Sequence, residues 1–506
     1  MQRYDVAVVG AGHNGLACAA LLAKAGLSVA VFERSDRIGG AAVSESMWNG
    51  YTVSAASYVC TLLDPWLISE LELERHGYHA YRKDPSNFSV LEDGRSLLLG
   101  SGDEANEREI AAFDRADVDG YSELDTILRR LGSELFETFS EECPSFDAFS
   151  PRTQEMLQGS AADLVERYVQ TPVLQAAIAT DGIIGTYRGP RDAGTGYVLA
   201  HHYAGRALGV QGAWGYVRGG MGAISNALAS AAKSHGATIH SSSPVAAIHL
   251  FGGEANGVVL QDGTEIRANV IVSNAHPQTT YLELVGERSC PPEITAALKQ
   301  WDSIGASFKV NLALGELPNF AARPCAKPMP HHRASIHIAP SIDYVQTAYD
   351  DARRHGKSQN PMLECFLQTP TDPTLAPHGK HILSIFAQYY AYDKPGGWTT
   401  RDEDQVAEEI VSLVGRVAPN VPNAVEARQV LSPAGLEKRI GLIGGHIFHG
   451  ELLPGQIFEK RFATRTPIRN LYLCGSGAHP GGCVSGFPGK RAAAAILADV
   501  KQLTHS

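Results

Sequence analysis

The sequence predicts an α/β protein in which a parallel-sheet domain is interleaved with a mixed α+β domain. Two glycine-rich turns, each between an apolar strand and a small-residue helix, lie near opposite ends of the chain: "GAGHNG" from Gly10 and "GSGAHPGG" from Gly475. Between Arg218 and Pro277 the sequence predicts a helix and a β-meander. The two long segments between these regions carry no such turn, and we expect them to form the second domain.

The first turn follows an apolar run over residues 4–9 and begins a helix. Its glycines fill the G-x-G-x-x-G positions: Gly10 permits a tight turn, Gly12 lets the backbone approach a pyrophosphate, and Gly15 lets helix and strand pack closely. Glu33 ends the next predicted strand, where a carboxylate accepts hydrogen bonds from a ribose. The pattern therefore predicts a dinucleotide site.

A second glycine pair decides which dinucleotide is expected. Gly39 and Gly40 follow the acid in "DRIGG". FAD enzymes bring the backbone alongside the bound cofactor at this point, whereas NAD domains usually continue directly into a helix. The acid itself favours a cofactor with a free 2′-hydroxyl. We therefore expect one non-covalent FAD.

With these motifs in view, the chain resembles the phytoene-dehydrogenase-related flavoproteins. "GAGHNGLACAALLAKAGLSVAVFERSDRIGGAA", "RGGMGAISNALASAAKSHGATI", "VIVSNAHP", "GLIGGHIFHGE" and "NLYLCGSGAHPGGCVSGFPGKRAA" stand in family order. "GHNGL" and "GGHIFHGE" are more similar to the branch named for a pyridine nucleotide-disulfide oxidoreductase domain than to the pigment-forming carotenoid desaturases. The sequence nevertheless has no close cysteine pair and no second complete G-x-G-x-x-G for a nicotinamide cofactor.

The resemblance implies a glutathione-reductase-type FAD-binding fold, with a Rossmann-like domain interleaved with a mixed α+β substrate domain. The FAD-binding domain would comprise residues 1–65, 216–277 and 430–506. The substrate domain would comprise residues 66–215 and 278–429.

In this fold the C-terminal turn lies beside the first turn, so that the two hold opposite ends of one FAD. The helix predicted from about Val484 to Leu497 follows Gly481 and Gly482. Its N-terminal amides would face the edge of the flavin that becomes negative on reduction. The residues expected to bind FAD are Gly10, Gly12, Asn14, Gly15, Glu33, Arg34, Gly39, Gly40, Ala41, Val245, Gly475, Ser476, Gly482, Cys483 and Val484.

Two histidines are the catalytic candidates. His479 lies inside the C-terminal turn. It would act as a proton acceptor or as a hydrogen-bond donor that orients the substrate, or it would stabilise the turn by a hydrogen bond to the backbone. His449 belongs to "GGHIFHGE", where it would line the cavity. His446 and Glu451 in the same motif would not share a face of a helix, so no metal is expected.

The predicted activity is transfer of a hydride from an extended, largely apolar substrate to flavin N5, by a dehydrogenase, desaturase or oxidase. The insertions would then enclose an apolar cavity that reaches the flavin. An FAD-dependent amine oxidase is the alternative enzyme, since its fold is related. A non-catalytic relative that binds lipids or lipidated partners is the third interpretation.

The composition of the chain limits its partners and its cellular location. The chain has 506 residues, a net charge of -11 and no block of lysine and arginine, which argues against nucleic acid as a partner. No apolar run is long enough to span a membrane, and the predicted strand begins too early to leave room for a signal peptide. We therefore expect a cytoplasmic protein. Peripheral contact with a membrane and formation of a homodimer are both compatible with the sequence. The eight cysteines, expected to be reduced thiols, are Cys18, Cys60, Cys143, Cys290, Cys325, Cys365, Cys474 and Cys483.

Overall fold

The structure, a computed structural model, describes residues 2–142 and 144–505. Its strands are β1 (Gln2–Val9), β2 (Val29–Phe32), β3 (Ser44–Trp48), β4 (Tyr51–Ser54), β5 (Ala80–Arg82), β6 (Asn87–Val90), β7 (Ser96–Leu99), β8 (Gly215–Val217), β9 (Thr238–His240), β10 (Val245–Phe251), β11 (Glu254–Leu260), β12 (Glu265–Ser273), β13 (Ser307–Leu314), β14 (Ser335–Ile338), β15 (Lys357–Leu367), β16 (His381–Tyr390), β17 (Val425–Leu431) and β18 (Leu471–Leu473). Its α-helices are α1 (His13–Lys24), α2 (Pro65–Glu70), α3 (Asp103–Ala111), α4 (Asp117–Thr138), α5 (Pro151–Gln158), α6 (Ala161–Glu166), α7 (Pro172–Ala179), α8 (Thr195–His202), α9 (Gly222–Ser234), α10 (Pro292–Gln300), α11 (Ile342–His355), α12 (Thr400–Val417), α13 (Val421–Ala424), α14 (Pro433–Ile440) and α15 (Phe487–His505).

The first sheet has a parallel centre in the order β9, β2, β1 and β12. Strand β18 extends it in parallel along the second half of β12, where Leu471 lies opposite Ile271. The predicted meander is present, because β10, β11 and β12 pair antiparallel. Strands such as β2 are buried throughout, which explains their continuous apolar sequence.

Helices α1, α9 and α15 pack together against this sheet. A Cβ on Gly489 of α15 would lie only 2.1 Å from the carbonyl oxygen of Asn14, so these two helices touch where a larger residue would not fit. The predicted start of the last helix at Val484 is wrong by three residues. Gly486 has φ +79° and Pro488 follows Phe487, so the turn continues to Gly486 and the helix begins with a proline in its first turn.

The second sheet has the order β17, β13, β16, β15, β14, β6 and β7. One face packs on α12, and alternate residues of β13 such as Phe308 and Val310 belong to that core with Ile410. The other face presents Lys309 from β13 together with the alternate residues of its neighbours. We call it the cavity face, because we expect the substrate cavity there. Every residue of β13 is buried.

The two large sheets draw their strands from the segments that the predicted domain division groups together, apart from the end of β17, which runs two residues past 429. The small sheet of β5 and β8 crosses the predicted boundary, because Tyr81 lies opposite Tyr216. The division itself stays a prediction. Among the helices that the structure describes, none is long and apolar enough to cross a membrane.

Candidate functional site

The first glycine-rich turn is closed so tightly that its glycines have little freedom. Gly10 has φ +94°, and a Cβ on Gly15 would lie 2.4 Å from the carbonyl oxygen of Gly10. A Cβ on Gly12 would lie 2.6 Å from Nδ2 of Asn274, which follows β12. Sequence reasoning missed Asn274, although the block "VIVSNAHP" contains it. The turn therefore has the close approaches for which glycine was expected.

Glu33 directly follows β2 beside this turn. Its Oε2 accepts a hydrogen bond from the amide of Ala11 at 2.8 Å, and its Oε1 accepts one from Ser35 at 2.9 Å. Glu33, Arg34 and Gly40 line a cavity of about 300 Å³ together with Arg439. The polar lining suits the nucleoside end of a dinucleotide.

The second glycine pair lies against the first turn. The amide of Gly39 donates to the carbonyl of Ala11 at 2.8 Å, and a Cβ on Gly40 would lie 3.4 Å from Cα of Gly12. The carbonyl of Ala41 accepts hydrogen bonds from the amide and the hydroxyl of Ser57. This backbone therefore runs alongside the glycine-rich turn, while its contact with the cofactor stays a prediction.

The C-terminal turn meets the N-terminal one. Asn14 Nδ2 lies 3.4 Å from Oγ of Ser476, and a Cβ on Gly475 would lie 2.7 Å from the carbonyl oxygen of Asn274. Oδ1 of Asn14 and Nε2 of His13 are buried and have no hydrogen-bond partner among the described residues. Buried polar atoms without partners at the junction of two glycine-rich turns fit a polar cofactor such as FAD.

The rest of the C-terminal turn differs from expectation at Gly482. A Cβ there would lie 2.0 Å from Cδ1 of Phe448, so Gly482 serves protein packing. Cys483 has φ +71° and is partly exposed. Val484 is buried. The seven described cysteines are free thiols, and Cys143 lies outside the described residues.

Val245 begins β10 next to a loop that contacts the end of β2. In that loop the amide of Ser243 donates to the carbonyl of Glu33 at 2.8 Å. Val245 itself is partly buried. The structure thus puts Val245 in the neighbourhood of Glu33 and Arg34, while its contact with FAD stays a prediction.

The two catalytic candidates occupy different surroundings. His479 is buried, and its Nε2 donates to the carbonyl of Thr138 at the end of α4 at 3.0 Å. Burial lowers the pKa of His479 to about 3. His449 has its ring 5.2 Å from that of His276, and burial with the nearby Arg461 charge lowers its pKa to about 3. The backbone bond of His479 agrees with the stabilising role that was the alternative for it.

His446 and Glu451 do approach each other, contrary to the sequence argument. That argument assumed a helix, but α14 ends at Ile440 and the following residues form an irregular loop. His446 Nε2 therefore lies 3.5 Å from Oε2 of Glu451. Glu451 also accepts a hydrogen bond from the amide of Tyr187 at 3.0 Å.

Among the described residues, the geometric candidate for a metal site is Cys325 with His331 and His332. Both ring nitrogens of His332 are already engaged, because Nδ1 accepts from the amide of Met329 at 3.1 Å and Nε2 donates to the carbonyl of Pro318 at 2.9 Å. This leaves His332 no lone pair for a metal ion.

Sequence reasoning also missed Lys309 on the cavity face. Lys309 is 3% exposed, its Nζ donates to Oγ of Ser384, and the ring centre of Tyr58 lies 4.2 Å from Nζ. Burial lowers the pKa of Lys309 to about 7. The signal was a single charge inside the otherwise apolar strand sequence "SFKVNLAL".

Tyr58 connects this face to the dinucleotide turns. Its ring lies 4.3 Å from that of Phe366, and the neighbouring Ser57 is bonded to Ala41. Asn311, two residues after Lys309, donates to the carbonyl of Ala55 at 3.2 Å. The cavity face therefore carries aromatic rings and a buried charge. The apolar cavity that the sequence predicted stays a prediction.

Comparison with known proteins agrees with this site. A family model described as flavin containing amine oxidoreductase matches residues 15–497. The chain belongs to this family. Among curated proteins, this chain is 38% identical over 547 residues to mouse "Pyridine nucleotide-disulfide oxidoreductase domain-containing protein 2", covering 99% of this chain and 94% of that protein.

This chain is also 24% identical over 516 residues to "Phytoene desaturase (lycopene-forming)" of Pseudescherichia vulneris, covering 97% of this chain and 98% of that protein. Among solved structures, this chain is similar in fold to cyclohexylamine oxidase from Brevibacterium oxydans, with a TM-score of 0.64 and 18% sequence identity. The match covers 98% of this chain and 99% of that structure's chain. The predicted family, the α/β FAD fold and FAD as cofactor are confirmed. The protein is an FAD-dependent oxidoreductase.

Proposed function

We propose that this oxidoreductase is a dehydrogenase, desaturase or oxidase whose substrate binds between the C-terminal turn and the cavity face. The observation that carries this proposal is Lys309, a buried amine on the cavity face with a pKa near 7. Strongly shifted titratable groups that lie on a cavity are typical of active sites. Tyr58 supports the assignment, because it links Lys309 to the second glycine pair through Ser57 and Ala41.

The residues proposed to hold FAD without a covalent bond are those of the two turns, with Glu33, Arg34 and Asn274. The pyrophosphate would lie at Gly10, Gly12 and Gly15. When bound, FAD supplies the acceptor for a hydride. The domain division into residues 1–65, 216–277 and 430–506 against 66–215 and 278–429 is part of this proposal.

The chain's own side chains would handle the proton and the position of the substrate. Because its pKa lies near 7, Lys309 can take up a proton at neutral pH as the substrate is oxidised. The rings of Tyr58, Phe366 and Phe386 pack over the same face and exclude water from it. These rings favour a substrate whose body is largely apolar.

Amine oxidation is the related alternative, for which an aromatic pair around the amine would be the sign. The rings of Tyr58 and Phe366 are only 4.3 Å apart, so this pair leaves no room for an amine between them. We therefore keep oxidation of a lipophilic small molecule as the proposal. A cytoplasmic location, a homodimer and contact with a membrane surface stay predictions.

The test is anaerobic reduction of the flavin by candidate substrates, comparing Lys309→Met with the wild type. The matched control is Lys357→Met, which removes a partly exposed lysine paired with Glu409. We expect Lys309→Met to keep its FAD and to be reduced about 10²- to 10⁴-fold more slowly. An unchanged rate would remove Lys309 from the mechanism, and a protein that binds no flavin would contradict the whole proposal.

A further inference from the structure

A second group of ionisable side chains lies on the cavity face, apart from Lys309. In the strand register Lys309 is opposite Phe386, Phe386 is opposite Glu364, and Glu364 is opposite His337. Neighbouring strands are about 5 Å apart, so the backbone of Glu364 stands about 10 Å from that of Lys309. Tyr58 lies between the two groups, because its ring is 4.2 Å from Lys309 Nζ, and burial and then the charge of Glu364 raise its pKa. The second group is therefore a neighbouring part of the same surface.

Glu364 has an unfilled acceptor. Its Oε1 lies 3.2 Å from Nε2 of His337, whose Nδ1 lies 3.4 Å from Oγ1 of Thr180. Its Oε2 is buried and has no hydrogen-bond partner among the described residues. Glu364 is 2% exposed, and burial raises its pKa, but the His337 bond and the Lys83 charge outweigh burial and hold the pKa below its usual value. An ionised oxygen in this position requires a donor.

Asp181 supplies a second acceptor beside it. It adjoins Thr180, whose hydroxyl oxygen lies 3.4 Å from Nδ1 of the His337 that is paired with Glu364, and it is partly exposed. Burial, and then the charge of Glu364, raise the pKa of Asp181 to about 7. In the part of the chain that the structure describes, no donor forms a hydrogen bond or ion pair with this carboxylate.

Lys83 already has its own partners and offsets part of this negative charge. Its Nζ donates to Oγ of Ser335 and lies 5.0 Å from the ring centres of both Trp214 and Phe366. Burial lowers the pKa of Lys83 to about 8, while the charges of Glu364 and Asp181 act in the opposite direction. Lys83 therefore permits two carboxylates to stay near each other in the interior.

We propose that Asp181 and Glu364 bind a hydrogen-bond-donating head group, a hydroxyl or a protonated amine, at the end of the substrate remote from the carbon that is oxidised. The proposal rests on the proposed function and names the class of substrate: an amphiphile with an apolar body and a donor at its far end. A donor fills Oε2 of Glu364 and the free oxygens of Asp181 together. A carboxylate or phosphate head group would instead meet two carboxylates, and like charges at this range repel strongly in a buried site.

The experiment measures binding of four test ligands to the flavin-loaded protein by calorimetry: hexylamine, hexan-1-ol, hexanoate and hexane. Asp181→Asn and Glu364→Gln remove the acceptor charges, and Asp343→Asn is the control, because that carboxylate belongs to the same domain and its side chain is 82% exposed. We expect hexylamine or hexan-1-ol to bind and Asp181→Asn to weaken that binding about ten- to a hundredfold. Asp343→Asn is expected to leave it unchanged.

Glu364 is buried, so ligand binding by Glu364→Gln is compared with the wild type only if the variant keeps the wild-type flavin content. If it does not, ligand binding by Asp181→Asn decides the test. Tighter binding of hexanoate than of hexylamine and hexan-1-ol would overturn the proposal, as would equal binding of all four ligands or binding that Asp181→Asn does not change. These binding results differ from those that would contradict the proposed function, which are a protein without flavin or a wild-type rate of flavin reduction in Lys309→Met.

Discussion

Asn14 of α1 and Ser476 of the C-terminal turn lie side by side, with Nδ2 of Asn14 3.4 Å from Oγ of Ser476, although 462 residues separate them in sequence. Both were predicted to bind FAD, one from each glycine-rich turn. Their proximity means that the two turns border one site. We therefore expect one bound FAD to touch both turns.

The first prediction concerns binding of FAD by the first glycine-rich turn. Gly12→Val should abolish FAD binding, because a Cβ at this position already lies 2.6 Å from Asn274 Nδ2 and the larger side chain fills the approach to the pyrophosphate. The wild type should purify yellow and release one FAD per chain on denaturation, as absorbance and identification of the free flavin would show. Gly455→Val is the control, since nothing lies within 4 Å of a Cβ at Gly455. Equal loss of flavin in both variants would contradict the prediction.

The second prediction is that NADH and NADPH do not reduce the flavin at a useful rate. The "GGMG" segment before α9 was the place to look for a nicotinamide site, but its amides are engaged. The amides of Met221 and Gly222 donate to the hydroxyls of Ser54 and Ser44 at 3.0 and 2.9 Å, so they are not available to a phosphate. Anaerobic mixing followed by visible absorbance measures this. Rapid bleaching by either nucleotide would show that another site binds it.

The third prediction is that Gly482 and Phe448 form a packing pair. Gly482→Ala should lower the free energy of unfolding by about 1 to 3 kcal/mol, because its Cβ would lie 2.0 Å from Cδ1 of Phe448. Phe448→Ala alone should cost about 3 to 5 kcal/mol. The double variant should cost less than the sum, since the smaller side chain removes the clash. Urea unfolding of the four proteins gives the cycle, with Gly455→Ala as control, and simple additivity would contradict direct contact.

The fourth prediction is that acid destabilises the protein through its buried histidines. The pKa of His479 is lowered from 6.5 to about 3 in the folded state. Between these values the unfolded chain binds a proton that the folded chain does not, so stability falls as the pH drops from 6.5 towards 3, by about 1.4 kcal/mol per unit of pH. His479→Gln keeps a donor for Thr138 and cannot titrate, so its unfolding free energy should fall less between about pH 6 and about pH 4.

The exposed His378→Gln serves as the control for that comparison and should keep the wild-type dependence on pH. Urea unfolding of the FAD-loaded proteins at the two pH values measures the difference. The same slope in His479→Gln and in the wild type would mean that His479 takes up its proton without unfolding.

The dinucleotide turns could be predicted from sequence because their requirements are local. Gly10, Gly12 and Gly15 are fixed by φ and by distances within a few residues, and the spacing to Glu33 follows from one helix and one strand. The start of α15 at Phe487 was predicted three residues too early, although Gly486 and Pro488 in "GGCVSGFPG" are a local signal for a turn followed by the first turn of a helix.

The cavity face could not be predicted in the same way. Glu364, His337 and Lys309 come from three strands, and only the order of strands in the sheet puts them in one row. Asp181 and Lys83 join them from separate segments. Single charges inside buried strands, such as Lys309 in "SFKVNLAL", were the available signal, and their meaning depends on which face each one occupies.

The position of β18 has a consequence for the order of events during synthesis. Strand β18 adds to β12, and α15 packs on α1, so a segment made hundreds of residues after β1 and α1 completes the sheet that they begin. Contacts of such large sequence separation form slowly and only after both partners exist. The apolar surface of α1 that α15 covers must therefore stay free of other contacts until α15 has been synthesised.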